Sequence, residues 1–383
     1  MLKYLAGVIA AALALWPWST LAAPAWEQWQ SVPSVFDLGG PRADGSLVVA
    51  GSAALYTLTT DDSVQPFARG PGGYRDDAGT EAYMAVSPGQ HVGAASCDFT
   101  RDDIFVLRLH TPIGVTRVDK SGEDSGSFVN VSAPSLNGIA FDTAGAFDHR
   151  LLVTAPVNGK TEVVAVDCKG GVQVVTKTAP TVEGGMEVAP ETFGVFAGSL
   201  IAPDELTGLI WAIAPDGSAK QVVSSGLPKG GDIGLESVAF VPPGFTSKGG
   251  YVYYADRKTA NNPHPGTDSI LRLSSNDLVA VGVQDGDLLA ATEGGASMIA
   301  VHCDTSCRVI AVVPAPTTAH GEGHIVFTIT PQPSPPPTQH AASATPAASR
   351  SNGGVPWLVA IMAAVLAGLT GAFIALAAGR RRR

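Results

Sequence analysis

Between Trp26 and Thr330 the apolar residues fall in short runs, many alternating with polar ones, and each run stops at Gly, Asp, Pro or Ser. Period-two runs closed by turn residues predict β-strands. Three runs, "VTRVDKSG", "VVAVDCKG" and "IWAIAPDG", end on a polar turn at Gly122, Gly170 and Gly217, which are 48 and 47 residues apart. Each is followed by another strand-like run, "SFVNVS", "VQVVTK" or "AKQVVS". Asp-Gly and Lys-Gly turns of this kind predict hairpins.

Extending the register outward gives a unit of four strands. It reads "ESVAFVP", "GYVYYAD", "SILRLS" and "LVAVGVQ" in one copy. Earlier copies run "GIAFD", "RLLVTAP", "EVVAVD", "VQVVTK", and then "MEVAP", "SLIAPD", "LIWAIA", "AKQVVS". Weaker copies start at "SVFDLGG", "EAYMAVS" and "LLAATEGG", which makes six. Four strands repeating near every 50 residues predict an all-β, six-bladed propeller, because a single blade cannot bury both its faces and must stack on its neighbours. Tandem β-sandwiches are the alternative, although they need no self-similarity at this period. The late "GHIVFTI" run is expected to complete the last blade or to join the first, closing the ring and removing exposed sheet edges.

Polar residues recur at the heads of the first strands. Glu81 of "TEAYMAV", Asn137 of "NGIAF", Glu187 of "MEVAP" and Glu236 of "LESVAF" come from successive units. In a propeller the first strand of each blade lines the axis, so these four side chains are expected to converge near one mouth. Three carboxylates gathered in a partly dry funnel repel one another, so some must be protonated or a cation must sit among them. Oxygen donors without Cys or a His pair favour calcium over zinc or copper. The competing reading is that the four residues end their strands in water, bonded to loop amides.

The ends of the chain differ from its middle. Residues 1–23, "MLKYLAGVIAAALALWPWSTLAA", carry Lys3, an apolar stretch and the small residues Ala22 and Ala23, the pattern of a cleaved signal peptide, with an uncleaved anchor as the alternative. The propeller is assigned to 24–330. Residues 331–354, rich in Pro, Ser, Ala and Thr, read as an extended stalk. Residues 355–379 carry no charge and are long enough to cross a hydrocarbon core of about 30 Å as a helix. Arg380 to Arg383 then place the C-terminus in the cytoplasm and the propeller outside, anchored in the cell membrane. "SNGGVPW" before that segment also resembles a bacterial Gly-Gly sorting signal, in which case the helix is removed after export.

With 45% hydrophobic residues over 383 positions the chain can bury a large core, and its 44 glycines and 28 prolines suit many tight turns. Of 24 basic residues, setting aside Lys3 and the four terminal arginines leaves 19 outside the membrane, against 34 acidic ones. So acidic an exterior argues against nucleic acid as a partner. An oxidising compartment permits disulfides: Cys303 and Cys307 of "CDTSC" are close enough to staple one hairpin, and Cys97 with Cys168 is the pairing left over. Zinc is the competing reading, without a histidine pair at ligand spacing to support it.

The repeats "NGIAFDTAGAFDHRLLVT" and "GSLIAPDELTGLIWAIAPDGSAKQVVSSGLP" resemble blades of the six-bladed propellers of the gluconolactonase, senescence-marker, luciferin-regenerating and strictosidine-synthase-like group, with kinship to NHL-repeat proteins. The resemblance spans roughly Ser31 to Thr330. It implies, in hydrolytic members, a divalent cation, often calcium, held on the axis by Glu, Asn and Asp. Asn137 matches that pattern best and Glu81 more loosely. Glu187 and Glu236 stand where the group more usually has Asn or Asp, a departure that bears on catalysis more than on cation binding.

For a lactonase the resemblance also implies a nearby carboxylate or imidazole as base, and His302 and His324 are the candidates. Each also reads as a hydrogen-bonded structural residue. Asp256 and the insert "RKTANNPHPGTDS" widen one loop of the fifth blade, and "FVNVS" holds a glycosylation sequon at Asn130. There is no Walker loop, dinucleotide fingerprint, G-x-S-x-G elbow or H-E-x-x-H, and nothing marks a quinone pocket. The expected function is therefore a membrane-tethered extracytoplasmic propeller that binds a small molecule or protein, with an axial cation. A calcium-dependent lactonase or related hydrolase, and a structural or adhesion module, are the alternatives.

Overall fold

The computed structural model describes residues 24–68, 81–123, 125–312 and 317–330. The chain divides into two compact units, Met1–Gln332 and Pro333–Arg383, and the second lies wholly outside the described residues. So do the expected signal peptide, stalk, membrane segment and arginine tail. Among the described residues no helix is long and apolar enough to cross a membrane.

Six four-stranded antiparallel sheets form the blades of a propeller. From axis to rim, blade 1 is Val35–Gly39, Leu47–Gly51, Ala54–Leu58 and Val64–Phe67. Blade 2 is Met84–Val86, Ile104–Arg108, Gly114–Val118 and Ser125–Asn130, and blade 3 is Gly138–Phe141, Leu151–Val157, Lys160–Val166 and Val172–Ala179. Blade 4 is Glu187–Val188, Leu200–Asp204, Leu209–Ile213 and Ala219–Ser224. Blades 3 and 4 match the repeat read from the sequence strand for strand, and blades 1 and 2 start at the weaker copies.

The last two blades interlock, which corrects the expected fifth and sixth units. Leu235–Phe240 lines the axis of blade 5, but the chain then leaves to build Gly250–Asp256 and Ser269–Ser274 of blade 6. It returns to finish blade 5 with Leu288–Thr292, Met298–Cys303 and Cys307–Val312, and only then supplies the axial strand of blade 6, Gly321–Ile329. The rim strand of blade 6 is the first described strand, Glu27–Ser31, so the ring is closed by both ends of the propeller. The run "LVAVGVQ", expected as a strand, lies partly in the helix Ser275–Ala280, started by Ser274, whose Oγ accepts the amide of Asp277 at 3.2 Å. A serine cap satisfies one of the unpaired amides of a first helical turn, and this local signal outweighs the apolar alternation.

Second strands such as LVVAG, IFVLR and LLAAT are buried along their whole length, because each lies between two neighbouring blades. The rim strand of blade 3, VQVVTKTA, is mostly exposed. The core is therefore a set of apolar layers between blades. One unites blades 1 to 3, where Phe105 and Phe141 meet edge to face at 5.4 Å, and others fill the remaining interfaces. At the rim Arg272 joins Glu27 at 2.7 Å and lies 4.8 Å over the ring of Trp29, tying the closing strand to blade 6.

The repeating hairpin turns share one mechanism. Gly217 has φ +82°, and a Cβ there would meet the carbonyl oxygen of Val175 at 2.6 Å, so only glycine fits. The cysteines pair as expected, Cys97 with Cys168 and Cys303 with Cys307. The second pair closes the outer hairpin of blade 5, and the first ties a small hairpin of blade 2 to a turn of blade 3.

A buried glutamate cluster above a polar axial plug

The inner strands begin at one mouth of the axis, here the upper, and end at the lower. At the upper mouth blades 4, 5 and 6 each contribute two residues by the same rule. One stands at the head of the inner strand, Glu183, Glu236 or Glu322, and one just after the second strand, Glu205, Glu293 or Arg257. Blade 4 approaches blade 5 closely, since Gly185 pairs with Ser237 in parallel and a Cβ on Gly184 would overlap the backbone of Glu236. Blade 2 adds Glu81 and Tyr83, and the approach to the last strand adds His320.

These groups meet in a nearly dry space, with Tyr83, Glu236, Glu322, Glu293 and His320 all buried. The Tyr83 hydroxyl is 2.8 Å from Glu236 Oε1 and 2.6 Å from Glu322 Oε1. One hydroxyl proton cannot serve two carboxylates, so one of the pair must itself carry a proton or share a cation. His320 Nε2 lies 2.7 Å from Glu293 Oε1 and 3.7 Å from Glu322 Oε2, and a ligand atom from each of Glu293, His320 and Glu322 lies within 4.8 Å of the others. Arg257 pairs with Glu81 at the rim of the mouth and approaches Glu322 Oε2 at 3.6 Å. Glu205 Oε1 and Glu322 Oε2 are buried without a hydrogen-bond donor.

Six glutamates thus face Arg257 and His320, and the electrostatics follow. Burial, then repulsion by Glu322, Glu293 and Glu183, holds the Glu236 carboxyl well above the usual range. Burial, with Glu81 and Glu293, does the same to Glu322. Burial and contact with Glu183 and Glu293 push Glu205 up to about 9. Desolvation disfavours the charged form, so without a cation these groups keep protons at neutral pH.

Below the cluster the His324 ring and the Asp37 carboxylate close the axis. His324 Nδ1 donates to Asp37 Oδ1 at 2.9 Å and Nε2 faces the carbonyl of Ile139 at 2.9 Å, so both ring nitrogens face acceptors, an arrangement that favours the imidazolium. Burial alone would lower its pKa, but Asp37 and the carbonyl of Ile139 raise it. Asp37, fully buried, also accepts the amides of Leu38, Met84 and His324, so its charge is satisfied on every side. Tyr83 meets His324 edge-on at 6.3 Å.

Of the residues singled out in the sequence, Glu236 stands inside the cluster and Glu81 at its rim. Asn137 sits beside it, with Nδ2 donating to Val182 O at 2.9 Å and Oδ1 accepting the Thr154 hydroxyl at 3.0 Å. Because Gly185 is level with Ser237, the residue beside Glu236 is Gly184, and Glu187 lies further down the axis, where it accepts the amide of Phe240 at 2.7 Å and faces His324. His302 belongs to a third strand and binds Asp287 at 2.6 Å, away from the axis. Asp256 lies in blade 6, and the insert after it delivers Arg257 to the mouth. The side chain of Asn130 accepts Arg108 at 2.6 Å. Glu183, Glu205, Glu293, His320 and Glu322 were missed; the available signal was a charged residue directly after each second strand, in "APDE", "ATE" and "ADR".

No protein-family model and no curated protein matches the chain. Among solved structures it is similar to a gluconolactonase from Xanthomonas campestris, with a TM-score of 0.45 and 10% identity over 79% of this chain and 85% of that one. It is also similar to virginiamycin B lyase from Staphylococcus aureus, with a TM-score of 0.41 and 10% identity over 77% and 92% of the two chains. The activities in those names belong to those proteins.

Proposed function

We propose that this chain is an exported propeller, held outside the cell membrane by its C-terminal segment, whose upper mouth binds a divalent cation and, beside it, a small molecule or protein. One observation carries the reading: a single tyrosine hydroxyl is shared by two buried carboxylates, Glu236 and Glu322, in a cluster where Glu205 Oε1 and Glu322 Oε2 are buried without donors. Glu293, Glu322, Glu236 and His320 would hold the ion, with Glu205 and Glu183 behind them. A set dominated by carboxylate oxygens fits a hard cation such as calcium. When bound, the ion supplies positive charge that lets the glutamates ionise and can polarise an oxygen of a ligand. Tyr83 orients two of the carboxylates, and Arg257 keeps Glu81 at the rim.

The test is thermal. Chelation should lower the melting temperature and calcium should restore it, by about 2.7 kcal/mol at a hundred times the dissociation constant. Glu236→Gln with Glu322→Gln should abolish the response. A melting curve indifferent to chelator and calcium sinks the cation reading. The tether is tested on intact cells, where external protease should release the propeller by cutting within 331–354; a protected propeller counts against that orientation.

A calcium-dependent lactonase or related hydrolase is the second reading. It is favoured by an imidazole, His320, held 2.7 Å from Glu293 and 3.7 Å from Glu322 at the same mouth, since general acid–base work needs titratable groups within reach of one another. Calcium-dependent opening of an aldonolactone, lost in His320→Gln, would support it. No turnover across a lactone panel by calcium-loaded protein removes it.

A further inference from the structure

The lower half of the axis is a separate chamber with its own chemistry. Beneath the His324 ring lies a cavity of about 250 Å³, walled by apolar side chains such as Met84, Ile139, Phe141, Met186 and Phe327 and bounded by Pro41, Thr143 and Pro242, which follow inner strands. A second cavity of about 290 Å³ shares Thr143, Glu187, Phe240 and Pro242 with it and reaches Asp285. Together they match the size of ordinary small-molecule pockets, roughly 300–1,000 Å³, which are mostly apolar with a few placed polar groups.

The polar groups select the ligand. Glu187 stands at the junction of the two cavities. Its Oε2 is taken by the amide of Phe240, and among the described residues no hydrogen bond engages Oε1. His324 has no donor to offer, because both ring nitrogens are bonded to Asp37 and Ile139. Among the described residues no lysine or arginine lines either cavity, whereas Glu187 and Asp285 do. An anion would find no free cationic side chain among the described residues that line the cavities, and a purely apolar molecule would bury the Glu187 carboxyl further without compensation. Burial already pushes that carboxyl up to about 7, and a cation against it would reverse the shift.

We propose that this lower chamber is a second binding site, for a small apolar amine whose ammonium group pairs with Glu187 while its hydrocarbon body fills the cavity. The site lies at the opposite end of the axis from the glutamate cluster and does not depend on the cation.

Methionine-methyl NMR on the full-length protein in nanodiscs reads the site directly, since Met84 and Met186 line the cavity and Met298 packs between strands of blades 5 and 6. Phenethylamine should shift the Met84 and Met186 signals saturably, in calcium and in chelator alike, and leave Met298 unmoved. The anion 3-phenylpropanoate, of similar shape, should leave all three unmoved. Glu187→Gln keeps an acceptor for Phe240 and should weaken phenethylamine binding about tenfold or more, as expected for losing a hydrogen bond to a charged group. No saturable shift with the amine, an equal response to the carboxylate, or wild-type affinity in Glu187→Gln overturns the proposal. Should that variant fail to fold, the contrast between amine and carboxylate on the wild type decides it.

Discussion

The hydroxyl of Tyr83 stands 2.6 Å from Oε1 of Glu322, joining blade 2 to blade 6 across the axis. With Glu236 competing for the same proton, the three groups form a buried site whose protonation and stability are linked.

In chelator, stability should fall as pH rises. Glu205, Glu236 and Glu322 have folded-state pKa values above the unfolded value, so folding takes up protons between the unfolded carboxylate pKa, about 4.3, and the folded one, about 9 for Glu205. Their neutral forms stabilise the fold fully below that window, and the effect is lost through it, by about 1.4 kcal/mol per pH unit per group. His324, raised above its usual value by Asp37, adds with the same sign. Urea unfolding in chelator at pH 5, 7 and 9 should show this decline; a rise from pH 5 to pH 8 contradicts it.

Replacing repelling acids by amides should stabilise the cation-free protein. Glu236→Gln with Glu322→Gln should melt above wild type in chelator and below it in excess calcium, a crossover visible by differential scanning calorimetry. Parallel shifts under both conditions would remove the link between the cluster and the cation.

The axial plug should tolerate no half-removal. Asp37→Ala strips the buried His324 imidazolium of its counter-charge, and the cost should be about 3–5 kcal/mol in urea unfolding at pH 7. A loss under about 1 kcal/mol would mean that the ring is neutral.

The two disulfides should contribute unequally. In the chain-entropy model, Cys97–Cys168, 71 residues apart, is worth about 4 kcal/mol, and Cys303–Cys307, 4 apart, about 2 kcal/mol. Paired Cys→Ser variants compared by urea unfolding check the order.

Blades 1 to 4 were legible in the sequence because each takes its four strands in order from one stretch of chain, so the repeat is also the topology. Blades 5 and 6 were not, since apolar alternation says that "GYVYYAD" is a strand but not that it bonds to "GEGHIVFTI" seventy residues on. The Ser274 cap was a local signal that "LVAVGVQ" would turn into helix, and the spacing hid it. At the site, Glu236 was visible as a polar head on an apolar strand. In blade 4 a short inner strand, Glu187–Val188, moved the head to Glu183, outside the strand pattern. Glu205, Glu293 and Arg257 follow second strands and reach the axis only because the sheets tilt their ends together, which no single run of residues reveals.

If the cluster holds a divalent cation, protons and the ion compete for the same buried glutamates. Calorimetric titration of calcium into the chelator-stripped protein at pH 7, repeated in buffers of different ionisation enthalpy, counts the protons released per ion. Calcium should bind with release of one or more protons, diminished in Glu236→Gln and in Glu322→Gln. Binding without proton release, or no binding at all, would contradict it.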